Sequence, residues 1–222
     1  MLILIIENNL QALEKIAYSN NWITSVLLLM FISIVLLKLI DAKRLKGSVF
    51  NFFSINYIES ETEDTTGFFD VFQIVIFVFS MLVLSLLTFS FKEYKLEIIL
   101  KDLPSFLSVF LSLTAYFLIK RTLEYLFSLL FLIKDEVRFF MISKYNYLYT
   151  ISFLLYIAIV LSEYAGLKQV YLFSFAAFLF VLRFVFHVVI NKKLIFSKLF
   201  YFILYLCAFE IAPLFILFKL MF

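Results

Sequence analysis

Glu210 is the residue of this chain best placed to do chemistry. It lies in "FYFILYLCAFEIAPLFILFKL", residues 200–220, a stretch long enough to cross a bilayer, three residues before Pro213. An ionisable side chain inside an apolar span costs about 2.5–3.5 kcal/mol on insertion scales, so it needs a partner, water or a task. Pro213 removes the backbone hydrogen bond to the carbonyl four residues earlier, that of Phe209, and tends to kink a helix there. The freed carbonyl then lies next to Glu210. One helical face carries Ile203, Leu206, Cys207, Glu210, Pro213 and Leu214. The other carries Tyr201, Tyr205, Ala208 and Ala212, whose alanines allow another helix to approach closely. An acid beside a backbone defect is what a proton, ion or headgroup site needs, and a proline that only shapes packing is the alternative.

Four further polar residues fall in apolar stretches: Asp70 and Gln73 in one, Arg183 and His187 in another. At about 1.5 Å per helical residue, Glu210 lies about 16 Å from the start of its stretch and Arg183 about 10–12 Å from the end of the preceding one. Only "NKKLIFSK" joins the two stretches, so they should be antiparallel neighbours. An intramembrane ion pair between Arg183 and Glu210 is therefore expected, with His187, one turn along the same face, extending it. Arg183 could equally snorkel to the headgroups. Asp70, at the start of its stretch, could face water as a first-turn helix residue.

Recognisable catalytic patterns are absent. The sequence has no H-E-x-x-H and no G-x-S-x-G, and its three glycines, Gly47, Gly67 and Gly166, are isolated rather than grouped into a phosphate loop. One cysteine and one histidine can form neither an internal disulfide nor a Cys/His metal cluster, so no metal and no cofactor is expected. The basic residues are scattered along the ends of apolar runs, which gives no support for nucleic-acid binding.

The elements that must position these residues are apolar helices. Of 222 residues 65% are hydrophobic, with mean hydropathy +1.07, far beyond a soluble domain. Continuous runs, without the alternation of a barrel strand, mark six spanning helices at about 22–40, 68–90, 104–120, 147–163, 169–190 and 199–221. The expected fold is an all-α polytopic membrane bundle, a single integral-membrane domain over residues 1–222 with interfacial amphipathic helices. The 32 Phe carry no functional weight, because Phe, Ile, Lys, Asn and Tyr all have AT-rich codons.

Loop charge sets the orientation. One set of alternate loops and span ends holds Lys38, Lys43, Arg44, Lys46, Lys120, Arg121, Lys134, Arg138, Lys144, Arg183, Lys192, Lys193 and Lys198. The other holds Lys15, Lys92, Lys95, Lys101, Lys168 and Lys219. The richer side should be cytoplasmic, which puts both termini in the periplasm. "MLILII" is too short for the core of a signal peptide, so no cleaved leader is expected. Residues 7–20 should lie on the outer interface as an amphipathic helix, with a partner-binding helix as the alternative, and Phe50 to Ile58 could rest among the headgroups. Residues 122–133 are too few to cross. They are read as an interfacial helix, with a continuation of the third span or a re-entrant segment as alternatives, and Glu124 has a helix partner in Lys120 four residues before it.

The tail "FYFILYLCAFEIAP" with "LFKL" after it, and the "NNWIT" entry to the first span, resemble an uncharacterised integral-membrane family of Bacteroidota, a domain of unknown function with a C-terminal FILYLCxxEIxP signature. The resemblance covers most of the chain. It implies an inner-membrane protein with Tyr205, Cys207, Glu210 and Pro213 at characteristic positions, and it implies no reaction. The expected role is a non-catalytic subunit or scaffold of a cell-envelope complex. Its partners would be the lipid bilayer and a membrane protein or second copy. A small transporter or proton-coupled channel component using Glu210, and an enzyme or accessory factor acting on a lipid-linked substrate, are the alternatives.

Overall fold

The computed structural model describes residues 21–50, 70–96, 102–130 and 134–190. Within them the chain forms six helices and no strand: α1 (Asn21–Ile40), α2 (Ala42–Phe50), α3 (Val71–Leu96), α4 (Leu103–Leu130), α5 (Lys134–Tyr164) and α6 (Gln169–Ile190). Five carry stretches long and apolar enough to cross a membrane: Trp22–Ile40, Val71–Lys95, Leu103–Glu124, Lys144–Tyr164 and Gln169–Phe186. These match the first five expected spans. The sixth, 199–221, lies outside the described residues, as do the expected interfacial segments at 7–20 and 51–58.

Local chemistry sets the helix ends. Asp41 follows α1 and caps α2, its Oδ1 accepting from the backbone N–H groups of Lys43 and Arg44 at 2.9 Å each. Pro104 sits in the first turn of α4, where its missing N–H has no intrahelical partner to lose. After α5, Gly166 takes φ +67°, the left-handed conformation that ends a helix and that glycine adopts without a Cβ clash. The chain then turns directly into α6.

Contacts near the helix ends define an up-and-down bundle with two unlike edges. At one edge the rings of Trp22 (α1), Phe89 (α3) and Phe106 (α4) meet, with Trp22 5.5 Å and 5.4 Å from the other two. Phe91 and Tyr94 at the end of α3 touch Phe173 at the start of α6, and Tyr164 of α5 donates to Thr24 of α1 at 3.0 Å. The opposite edge gathers the ends of α1, α4 and α6 with the beginnings of α3 and α5, and there the contacts are polar.

Helices α3 and α5 form the centre. α3 packs against α1, α4 and α5, and α5 against α6 and α2 as well. Their spanning windows are 67% and 61% buried, whereas those of α1, α4 and α6 are 22%, 22% and 17% buried. Phe79 stacks on Phe153 across the central pair at 4.8 Å. Hydroxyls in α3 are satisfied within the helix: the buried Ser80 and Ser85 donate to the carbonyls of Ile76 and Met81, and the half-buried Thr88 and Ser90 to those of Leu84 and Leu86. Back-bonding of this kind lets a polar side chain sit in an apolar interior.

At residues 122–133 the structure differs from the interfacial reading. α4 runs without a break from Leu103 to Leu130, so as far as Leu130 the segment continues the third span. Neither glycine nor proline interrupts the segment, and the charge near its start, Glu124, has a cross-helix partner in Lys144. Likewise α5 begins at Lys134, well before the apolar stretch, and Ala42–Phe50, for which no helix was expected, form the short helix α2.

Candidate functional site

The polar edge is built from the end of one span and the start of the next. α4 carries Glu124 to the last position of its apolar window, and α5 brings Lys144 to the first position of its own. Lys144 Nζ donates to Glu124 Oε1 at 2.6 Å, and the Tyr145 hydroxyl donates to Oε2 at 3.2 Å, so both carboxylate oxygens are engaged. The Glu124 side chain is 0% exposed and that of Lys144 6%. Removing two charges from water carries a penalty of several kcal/mol per ion. Such a pair is tolerated only when geometry is good and the remaining lone pairs are served, as they are here.

Further pairs extend the cluster around this core. Arg121, one helical turn before Glu124, places its guanidinium carbon 5.4 Å from the Tyr145 ring centre and donates weakly to Gln73 Oε1 at 3.4 Å. Arg44 of α2 forms a salt bridge with Asp70, which precedes α3, and its guanidinium carbon also lies 5.0 Å from the Phe72 ring centre. The buried Thr150 hydroxyl lies 2.5 Å from the Ser48 carbonyl in α2 and 3.0 Å from that of Asn146, fastening α2 to α5. From α6, Arg183 Nη2 donates to the Lys144 carbonyl at 3.2 Å. Side chains of α2, α4, α5 and α6, with Asp70 and Gln73 at the start of α3, thus converge on one edge.

Three residues singled out from the sequence lie in this cluster: Asp70 pairs with Arg44, Gln73 faces Arg121, and Arg183 reaches α5. Asp70 is thus both the residue from which α3 starts and an ion-pair partner. The side chain of His187, and Tyr205, Cys207, Glu210 and Pro213 entirely, lie outside the described residues. The Glu124–Lys144 pair was not expected, because the sequence offered Lys120 on the same helix as the nearer cation. A signal for it existed: Glu124 follows one apolar run and Lys144 precedes the next, so two antiparallel spans joined at that end bring them level. Tyr145 and Thr150 carry no signature distinguishing them from other residues of an aromatic-rich span.

Chemically, the cluster holds two ion pairs, Glu124–Lys144 and Asp70–Arg44, with Arg121 and Arg183 engaged by an amide oxygen, a ring face and a backbone carbonyl. The carboxylates of Glu124 and Asp70 each face a cation, and Glu124 is shielded from water. Among the described residues no group of three or more His, Cys, Asp and Glu is arranged to hold a metal ion. This geometry holds helix ends in register.

The family model described as Domain of unknown function (DUF4271) matches residues 23–221. Comparison with curated proteins and with solved structures yields no match.

Proposed function

The chain belongs to the DUF4271 family, and from that premise we propose that it is an inner-membrane protein acting as a non-catalytic subunit or scaffold of a cell-envelope complex. The observation that carries this reading is the Glu124–Lys144–Tyr145 core, whose charges are buried and engaged with one another. Groups satisfied in this way stabilise a defined helix arrangement and leave broad apolar faces on α1, α4 and α6 for lipid or for a neighbouring membrane protein. The basic edge faces the cytoplasm, and both termini are periplasmic.

Within the same reading Glu210 and Arg183 form an intramembrane pair, with His187 beside it and Pro213 bending the last span towards it; Cys207 and Tyr205 pack that helix. A guanidinium has five N–H donors, so the Lys144 carbonyl and a carboxylate can both be served.

The test is crosslinking of tagged protein in its native membrane, purification in mild detergent and mass spectrometry of what accompanies it. A reproducible stoichiometric protein partner is expected. Recovery of the chain alone would sink the scaffold reading and favour transport or lipid chemistry at Glu210. For the pair, the R183E/E210R double variant should restore the complex that either single reversal abolishes. A double variant as defective as the singles would refute it.

A further inference from the structure

The elbow between α1 and α2 combines an apolar stripe and outward lysines. On α1, Ile32, Val35, Leu36 and Leu39 are exposed along one face, Leu39 by 77%. Asp41 then caps α2, whose inner side is fixed: Ser48 is 1% exposed, its carbonyl meets Thr150, and Arg44 is held by Asp70. The outer side presents Lys43 and Lys46, three residues apart and both exposed, with the exposed Lys38 one turn before the elbow. The Asp41 carboxylate, the acid closest in sequence, accepts the two capping N–H groups. Apolar stripe and cationic rim therefore meet at the end of the Trp22–Ile40 apolar stretch.

We propose that this elbow binds an anionic phospholipid, its acyl chain along Val35, Leu36 and Leu39 and its phosphate among Lys38, Lys43 and Lys46. Charge complementarity selects the occupant. Clustered lysines just beyond a span attract anionic lipid, and a lysine stem lies along apolar surface while its ammonium reaches the headgroup. Because Asp41, Arg44 and Thr150 hold the α2 backbone, the helix that carries Lys43 and Lys46 is in place before the lipid arrives, which lowers the ordering cost of binding.

The experiment is native mass spectrometry of the full chain in mild detergent, titrated with phosphatidylglycerol or with phosphatidylcholine of the same acyl chains. Phosphatidylglycerol should bind about tenfold or more tightly than phosphatidylcholine, and millimolar inorganic phosphate should not displace it. The K38Q/K43Q/K46Q variant should lose the preference, whereas K168Q, an exposed lysine at the opposite edge, should keep it. All three lysines are exposed, so the variant should melt as the parent does. Equal binding of the two lipids by the parent chain, or a preference that survives in the triple variant, would overturn the proposal. Displacement by phosphate alone would overturn it too, by showing a site for a free anion.

Discussion

Among individual residues, Glu124 has the most to lose. Its two oxygens are engaged by Lys144 and Tyr145 in a site closed to water. Removing one partner leaves the other charge buried and unpaired, which costs about 3–5 kcal/mol, whereas replacing both by apolar groups of similar size is often neutral. Lys144→Met alone should therefore destabilise the chain by about that amount. The Glu124→Leu, Lys144→Met double variant should recover most of the loss, as read by thermal unfolding in detergent. Equal losses in the single and double variants would mean that packing, not charge, matters at this site. Glu124 also shows where reading a sequence falls short: the i,i+4 spacing to Lys120 was visible, but the partner 20 residues away depends on how two helices sit side by side.

For the elements, the caps and turns are the testable features. Asp41 converts the end of α1 into the start of α2 by satisfying two N–H groups. Asp41→Ala should cost about 1 kcal/mol and should loosen α2, seen as faster hydrogen exchange over residues 42–50. Gly166 ends α5 at φ +67°, and a Cβ there would meet nothing within 4 Å. Gly166→Ala should thus carry only the backbone penalty of a left-handed residue, about 1–2 kcal/mol, without a packing defect. A much larger loss of thermal stability would show that the α5–α6 turn is crowded by other parts of the chain. The long helices themselves were legible, since continuous apolar runs have few other stable forms in lipid. Their ends were not. α4 continues beyond its apolar window to Leu130 and α5 begins at Lys134, before its own, so apolarity alone does not mark where either helix stops.

At the scale of the whole molecule, the bundle separates an aromatic edge around Trp22, Phe89 and Phe106 from a polar edge around Glu124 and Lys144. The alternation of helices puts Lys46 and Lys168 at opposite edges. In a Cys207→Ser background, Lys46→Cys should react with a membrane-impermeant maleimide only after the cell is opened. Lys168→Cys should react in intact spheroplasts. The reverse pattern would invert the orientation, and labelling of both from one side would break the up-and-down arrangement. At the centre, Phe79 stacks between α3 and α5, so Phe79→Ala should cost about 3–5 kcal/mol, read as a lower melting temperature of the purified chain.

The sequence by itself determined the all-helical class, the places of five helices long and apolar enough to cross a membrane and the uneven distribution of the basic residues. Each of these follows from local composition: an apolar run of about 20 residues must hydrogen-bond within itself, and charge collects where such runs end. Tertiary structure decided which helices lie at the centre, that Ala42–Phe50 form a helix fastened to α5, and which acid meets which base. Those outcomes depend on distances between residues far apart in the chain, and no spacing along one helix specifies them. Asp70, Gln73 and Arg183 were recognisable as polar groups out of place, but only the packing of neighbouring helices set Arg44, Arg121 and the Lys144 carbonyl against them.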